Sequence, residues 1–224
     1  MNLDRLKTYG SLVLRFLGIA AVIGGVLVLG LLGWQWQTSV EVERITVSCV
    51  THAPAATVRH LTRVDTGTVM ETIDASLVAD RVSRHPWIER TDVVKKRARR
   101  ALHVAVTERV PAALAINEQG DPAYYLDRHG YAMPLPDSAG YDVPLVRGLD
   151  AAYHPVRQLA SPSLRDVFSA LHATDTDALV AELAVQPDSS VRLVTTPVGE
   201  HGALPVRVGT RNIAPKLRHL RAFA

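Results

Sequence analysis

Nine histidines, one cysteine and 22 carboxylates are the groups from which this chain could build an active or metal-binding site. Their spacing does not assemble one. No His-x-x-x-His, His-Glu-x-x-His or Cys/His pair of metal-binding spacing occurs. His85, His103, His129 and His219 read as surface or turn residues. Neither a Gly-x-Ser-x-Gly elbow nor a phosphate-cradling glycine loop is present. Cys49 stands alone, so it can form no intrachain disulfide and no cysteine cluster; it is expected to be a small buried apolar residue, with a reactive thiol as the alternative. Asp127-Arg128-His129 could supply an acid, a cation and a base, but a β-turn accounts for all three. No catalytic, metal-binding or cofactor-binding residue is therefore assigned, and no enzyme or small-molecule substrate is expected.

A second chemical feature is basic. Lys95, Lys96, Arg97, Arg99 and Arg100 fall within six positions. The net charge of the whole chain is only +3, too small for a dedicated nucleic-acid binder. The run also lacks interleaved aromatics on which bases could stack, so nucleic acid is not the expected partner. A solvated hairpin tip, or a surface for anionic lipid headgroups or an acidic partner, remain the readings.

The element that must position everything else is FLGIAAVIGGVLVLGLLGW, Phe16 to Trp34, which carries no charge. At about 1.5 Å per residue, roughly 19 helical residues cross a ~30 Å hydrocarbon layer. Arg5, Lys7 and Arg15 precede it against a lone Asp4, which places the N-terminus in the cytoplasm by the Lys/Arg excess. Trp34 and Trp36 occupy the interfacial aromatic position. A cleaved signal peptide would have a shorter apolar stretch and a small-x-small site, which GWQWQTSVEV does not offer. The expected organisation is a cytoplasmic tail over 1–15, an anchor over 16–36 and the remainder on the far side of the membrane.

Beyond the anchor, Val40, Val42, Ile45, Val47 and Cys49 suggest an extended segment and a first strand. Pro54 opens a helix in which Val58, Leu61 and Val64 recur, and Asp65-Thr66-Gly67 is a turn. Asp74 caps a second helix with Ile73, Leu77, Val78 and Val82 on one stripe, stopped at Pro86. A strand is expected from Val93. Another carries Leu102, Val104 and Val106 on one face, with the basic run as the end of the first strand and the hairpin tip. This gives strand-helix-helix-strand-strand over 40–111. From 112 to 224, further strands alternate with a helix begun by Ser161-Pro162 and a last helix with Asn212 as its cap and Ile213, Leu217 and Leu220 inward. The fold class is α+β: one membrane helix, a small β-α-α-β-β domain, and a mixed α/β domain with an antiparallel sheet.

Several of these residues carry a resemblance. Ile45-x-Val47, Gly67, Pro86-Trp87-Ile88 and Glu108-Arg109-x-Pro111 resemble the POTRA domain of the FtsQ/DivIB family of bacterial cell-division proteins. Asp127-x-x-Gly130 resembles a hairpin of that family's β domain, and Gly209 with Lys216-Leu217 its late strand and helix. The resemblance implies a non-enzymatic, single-pass scaffold of the inner membrane, found at the mid-cell septum and assembling the divisome through protein–protein contacts with partners of the FtsB/FtsL type. In the family further strands follow the Lys-Leu helix, and a partner strand adds to the last of them. The sequence stops at Ala224, so a C-terminus shorter than the family's is expected and no FtsB-contact residue is assigned. The competing reading is another membrane-anchored POTRA-type module for periplasmic binding or transport assembly, although an outer-membrane transporter would need many more alternating strands than this chain holds.

Overall fold

The computed structural model describes residues 3–38, 40–48, 50–136, 140–149, 152–197, 202–209 and 212–223, with side chains in the first helix described from Phe16 to Trp34. Cys49 and the side chain of Trp36 lie outside the described residues.

Helix α1 (Leu3–Thr38) contains the uncharged stretch. Its segment Phe16–Trp34 is long and apolar enough to cross a membrane and buries none of its side chains in the protein. Phe16 and Trp34, at the two ends, are 69% and 74% exposed. A helix that is apolar all round and unburied has no core to face, which is the pattern expected of lipid as its solvent.

The order that follows is β1 (Arg44–Ser48), α2 (Ala55–Thr62), α3 (Ala75–Ser83), β2 (Ile88–Lys96) and β3 (Ala101–Glu108), a β-α-α-β-β arrangement whose sheet has the order β1-β3-β2. Helix α2 ends at Thr62, two residues before Val64, because Arg63 adopts a left-handed conformation (φ 52°) and closes it. Asp74 immediately precedes α3, whose buried stripe is Val78 and Val82 with Ile73 just ahead; Leu77 is turned out and is 45% exposed. Strand β2 begins at Ile88, five residues before the expected Val93. It lies at an edge of its sheet, where charged residues such as Glu89, Arg90 and Asp92 are tolerated and blur the alternation.

The chain then continues through β4 (Pro111–Ile116), β5 (Pro122–Asp127), β6 (Ala132–Met133), β7 (Leu145–Arg147), α4 (Pro162–Thr174), β8 (Val180–Val185), β9 (Val191–Thr195), β10 (Pro205–Gly209) and α5 (Ile213–Phe223). These strands form one sheet of order β10-β9-β8-β7-β4-β5-β6. Its outer pairs are antiparallel, but β7 runs parallel to both β4 and β8. The parallel β7–β8 pair needs a crossover, and α4 supplies it. Ser161 accepts the Leu164 N–H at 3.3 Å and Pro162 opens α4, so both start signals are used. Asn212 precedes α5 but stands at φ 55°, outside the extended geometry of an N-cap.

Two compact units result. The first comprises Met1–Thr46, Val64–Ala75 and Val94–His103. Within it the segment after α1 is tied down by backbone bonds: Val42 N–H to Thr68 O (2.9 Å), Gly67 N–H to Val42 O (2.8 Å) and Met70 N–H to Val40 O (2.7 Å). Val42, Met70, Ile73, Ala101 and Leu102 are its buried apolar residues among those described. The second comprises Val47–Arg63, Ser76–Val93 and Val104–Ala224. Its core is the face of the seven-stranded sheet covered by α4 (Leu164, Val167, Phe168, Leu171) and α5 (Ile213, Leu217).

Candidate functional site

The family-like residues of the second unit converge although they are far apart in sequence. Arg109 and Asp127 form a buried ion pair at 2.5 Å, with side chains 10% and 3% exposed. Asp127 Oδ2 faces the guanidinium, while Oδ1 accepts the N–H groups of His129 (2.9 Å) and Tyr131 (2.8 Å). The Arg109 guanidinium also lies 4.2 Å from the centre of the Tyr131 ring. The pair is brought together by register: β4 and β5 are antiparallel with Pro111 opposite Asp127. Pro111 is the first residue of its strand, where a missing N–H is tolerated. Gly130 closes the hairpin at φ +82°, its N–H donating to Asp127 O at 2.9 Å, and a Cβ there would stand 2.6 Å from that of Ala160.

Arg109 joins this hairpin to the Pro86-Trp87-Ile88 segment, since its N–H donates to Trp87 O at 2.9 Å. Ile88 is fully buried and Trp87 nearly so, packed with Tyr125 and Met133. Trp87 also stacks on the His52 ring at 4.2 Å between centroids. His52 Nδ1 lies 3.1 Å from Glu108 Oε2, and its Nε2 2.6 Å from the Tyr141 hydroxyl. Glu108 Oε1 accepts three successive backbone N–H groups, from Thr51, His52 and Ala53, at 2.8–3.0 Å. Burial acts to raise the Glu108 pKa, but these donors, together with the His52 ring, outweigh it and hold the carboxyl below its ordinary range. Burial pushes the His85 imidazole down, with Glu108 opposing. Burial, with the nearby Glu108 and Tyr125, raises the Tyr141 phenol.

The remaining expected positions lie elsewhere. Ile45 and Val47 are half-buried in β1, and Gly67 holds the left-handed turn (φ +90°) beneath Val42. Gly209 ends β10 at φ +68°, where the β10–β9 register shifts. Lys216 Nζ donates to Val208 O at 2.7 Å and Leu217 is buried, so this second group fastens α5 to β10. His52, Tyr131 and Tyr141 are part of the first cluster, yet no spacing marks them; Tyr131 enters with the Asp127 hairpin, and His52 and Tyr141 only through tertiary packing.

The chemistry of these groups is recognition and support. Every charged member of the Arg109 cluster is satisfied by a protein partner, and among the described residues no three His, Cys, Asp or Glu side chains gather as a metal site. What the second unit leaves open is surface. Strand β10 ends the seven-stranded sheet, and its outer edge has no strand partner among the described residues. Arg207 on β10 stands opposite Arg192 on β9, and both are exposed. A cleft of about 760 Å³ also opens beside the Arg109–Asp127 pair, lined by Glu89, Val110, Asp142, Phe168, His172 and Asp177 among others.

Comparison with known proteins gives this architecture a context. Residues 40–109 match the model of the POTRA domain, FtsQ-type. The chain is 51% identical to the cell division protein FtsQ of Salinibacter ruber, over 100% of this chain and 88% of that relative. It is 37% identical to the cell division protein FtsQ of Rhodothermus marinus, over 90% of this chain and 75% of that relative. With the cell division protein FtsQ of a Geobacter species it shares 31% identity over 60% of this chain and 49% of that relative. At this identity and coverage, with the β-α-α-β-β order and an N-terminal membrane-capable helix in place, the chain belongs to the FtsQ family of non-enzymatic cell division proteins.

Proposed function

We propose that the chain is a single-pass divisome scaffold, with residues 1–15 in the cytoplasm, 16–36 as the anchor, and a POTRA domain (40–111) and β domain (112–224) in the periplasm. It recruits septum-assembly proteins, those of the FtsB/FtsL type among them, by protein–protein contacts. The observation that carries this reading is the FtsQ-type POTRA match over residues 40–109, directly behind a helix long and apolar enough to cross a membrane. Among the described residues the outer edge of β10 has no strand partner, and such an edge is a template for an added strand. The Lys/Arg excess before the span supports the orientation.

The family-like residues have a supporting role in this proposal. Trp87, Glu108, Arg109, Pro111, Asp127 and Gly130 frame the β5–β6 hairpin, and Gly209, Lys216 and Leu217 hold β10 against α5. Ile45, Val47, Gly67, Pro86 and Ile88 do the same for the POTRA strands and turns. They position edges and are not themselves the contact surface.

A functional fluorescent fusion tests the scaffold role. Rings at mid-cell, and filaments without septa on depletion, are expected. A uniform envelope signal in dividing cells, or loss of outer-membrane proteins without a division defect, would favour a transport-assembly module instead.

A further inference from the structure

We propose that the tip of the β2–β3 hairpin is a docking surface for anionic phospholipid headgroups at the face of the membrane from which the chain emerges. Lys96 ends β2, residues Arg97–Arg99 form one tight helical turn, and Arg100 is left-handed at φ 48°. This backbone gathers five cations at one end of the hairpin. Arg97 pairs with Glu71 and Arg100 with Glu43. Lys95, Lys96 and Arg99 have no carboxylate partner among the described residues. Glu41, Glu43 and Glu71 are the carboxylates that lie near these five cations among the described residues.

Position turns charge into a membrane contact. The Arg100 carbonyl accepts the N–H groups of Glu43 (2.8 Å) and Arg44 (3.3 Å). Helix α1 ends at Thr38, so only the link from Thr38 to Glu43 separates the tip from the helix. That link spans at most about 17 Å when extended, and the helical residues after Trp34 add about 6 Å. The headgroup layer itself is several ångströms deep, and lysine and arginine side chains reach about as far again from the backbone. The hairpin tip is thus tethered within reach of the phosphates, where intramolecular binding proceeds at high effective concentration. Guanidinium forks and ammonium groups both suit phosphate oxygens, and each cation near an anionic surface favours the docked state about fivefold.

The proposal rests on α1 being the membrane anchor. To test it, the full-length chain with Cys49→Ser and Ala98→Cys is spin-labelled at position 98. It is then reconstituted in nanodiscs of phosphatidylcholine alone, or with about one third phosphatidylglycerol. Each disc carries a gadolinium-chelating lipid, and relaxation of the label reports its distance from the headgroups. Enhancement several-fold stronger in the anionic discs is expected. It should fall back in high salt and in K95Q/K96Q/R99Q, a variant that breaks no ion pair among the described residues. Equal enhancement in the two lipids overturns the docking surface, as does enhancement that survives the triple substitution. If the label responds to added polyglutamate but not to phosphatidylglycerol, the tip is a protein-docking surface and the lipid assignment falls. A chain that does not co-elute with the discs overturns anchor and docking together, whereas one that co-elutes without lipid-charge dependence overturns docking alone.

Discussion

Removing the charges of Arg109 and Asp127 together should cost far less than the sum of the two single losses. In Arg109→Met the Asp127 carboxylate stays buried at 3% exposure with only the His129 and Tyr131 N–H groups to stabilise it. Taking one partner from a buried pair costs 3–5 kcal/mol, and the two remaining donors place this variant at about 3 kcal/mol. In Asp127→Asn the amide oxygen can still accept both N–H groups, and the guanidinium still lies on the Tyr131 ring. The expected loss is therefore smaller, about 2 kcal/mol. The double variant leaves no uncompensated charge and lays a methionine over Tyr131, so it should also lose only about 2 kcal/mol. The resulting coupling is about 3 kcal/mol. Urea unfolding of the full-length chain in detergent micelles, followed by the far-ultraviolet dichroism of the sheets, measures it. If the two single losses simply add in the double variant, Arg109 and Asp127 do not act as a pair, and the hairpin is held by its turn and strand register instead.

Acid should weaken the fold in two steps with the same sign. Burial lowers the folded pKa of His85 below its ordinary 6.5, so its contribution is complete above that value and is lost as pH falls through the lower folded value. Glu108 is also depressed, from an ordinary value of 4.5, so its contribution is lost further down, as pH falls through its folded value. Unfolding midpoints measured against pH should lose the upper step in His85→Gln and the lower one in Glu108→Gln; an unchanged profile in both would refute the assignment. Gly148→Ala should destabilise by about 1–3 kcal/mol, because the residue sits at φ +76° and a Cβ would collide with the Val185 carbonyl; thermal unfolding reads the loss. Trp87→Ala should cost about 3–5 kcal/mol through the cavity it leaves beside Tyr125 and Met133 and the lost stack on His52; urea unfolding measures that cost, and a loss within error would place the packing centre elsewhere.

Local signals and packed structure part company at definable places. The membrane-capable helix, α3, α4 and the hairpin tip are legible because a single segment contains their cause: an uncharged stretch, a periodic stripe, a serine–proline start, a basic run between two alternating strands. The beginning of β2 is not legible, since an edge strand can carry Glu89, Arg90 and Asp92 without burying them. Nor is the parallel placement of β7, whose three residues give too short a pattern to reveal direction. The candidate site divides in the same way. Glu108, Arg109, Asp127 and Gly130 stand out as family-like residues. Their pairing depends on Pro111 facing Asp127 across β4 and β5; His52 joins from 56 residues before Glu108, and Tyr141 meets His52 across 89 residues.

That division bears on where specificity resides. The family-like residues face inward and are satisfied: Glu108 by three backbone donors, Arg109 by Asp127 and the Tyr131 ring, Lys216 by Val208. Residues consumed by such bonds have little left to offer a partner, because exposing them would forfeit contacts already made. A motif of this kind fixes the geometry of strand edges and hairpins without encoding what docks there. Substituting it should lower stability first and impair division in proportion. Substituting exposed positions on β10, such as Arg207, should impair partner recruitment while leaving the unfolding midpoint in place. Measuring both readouts on Arg109→Met and Arg207→Glu separates support from recognition; if Arg207→Glu unfolds as easily as Arg109→Met, or recruits partners normally, the edge of β10 is not the contact surface.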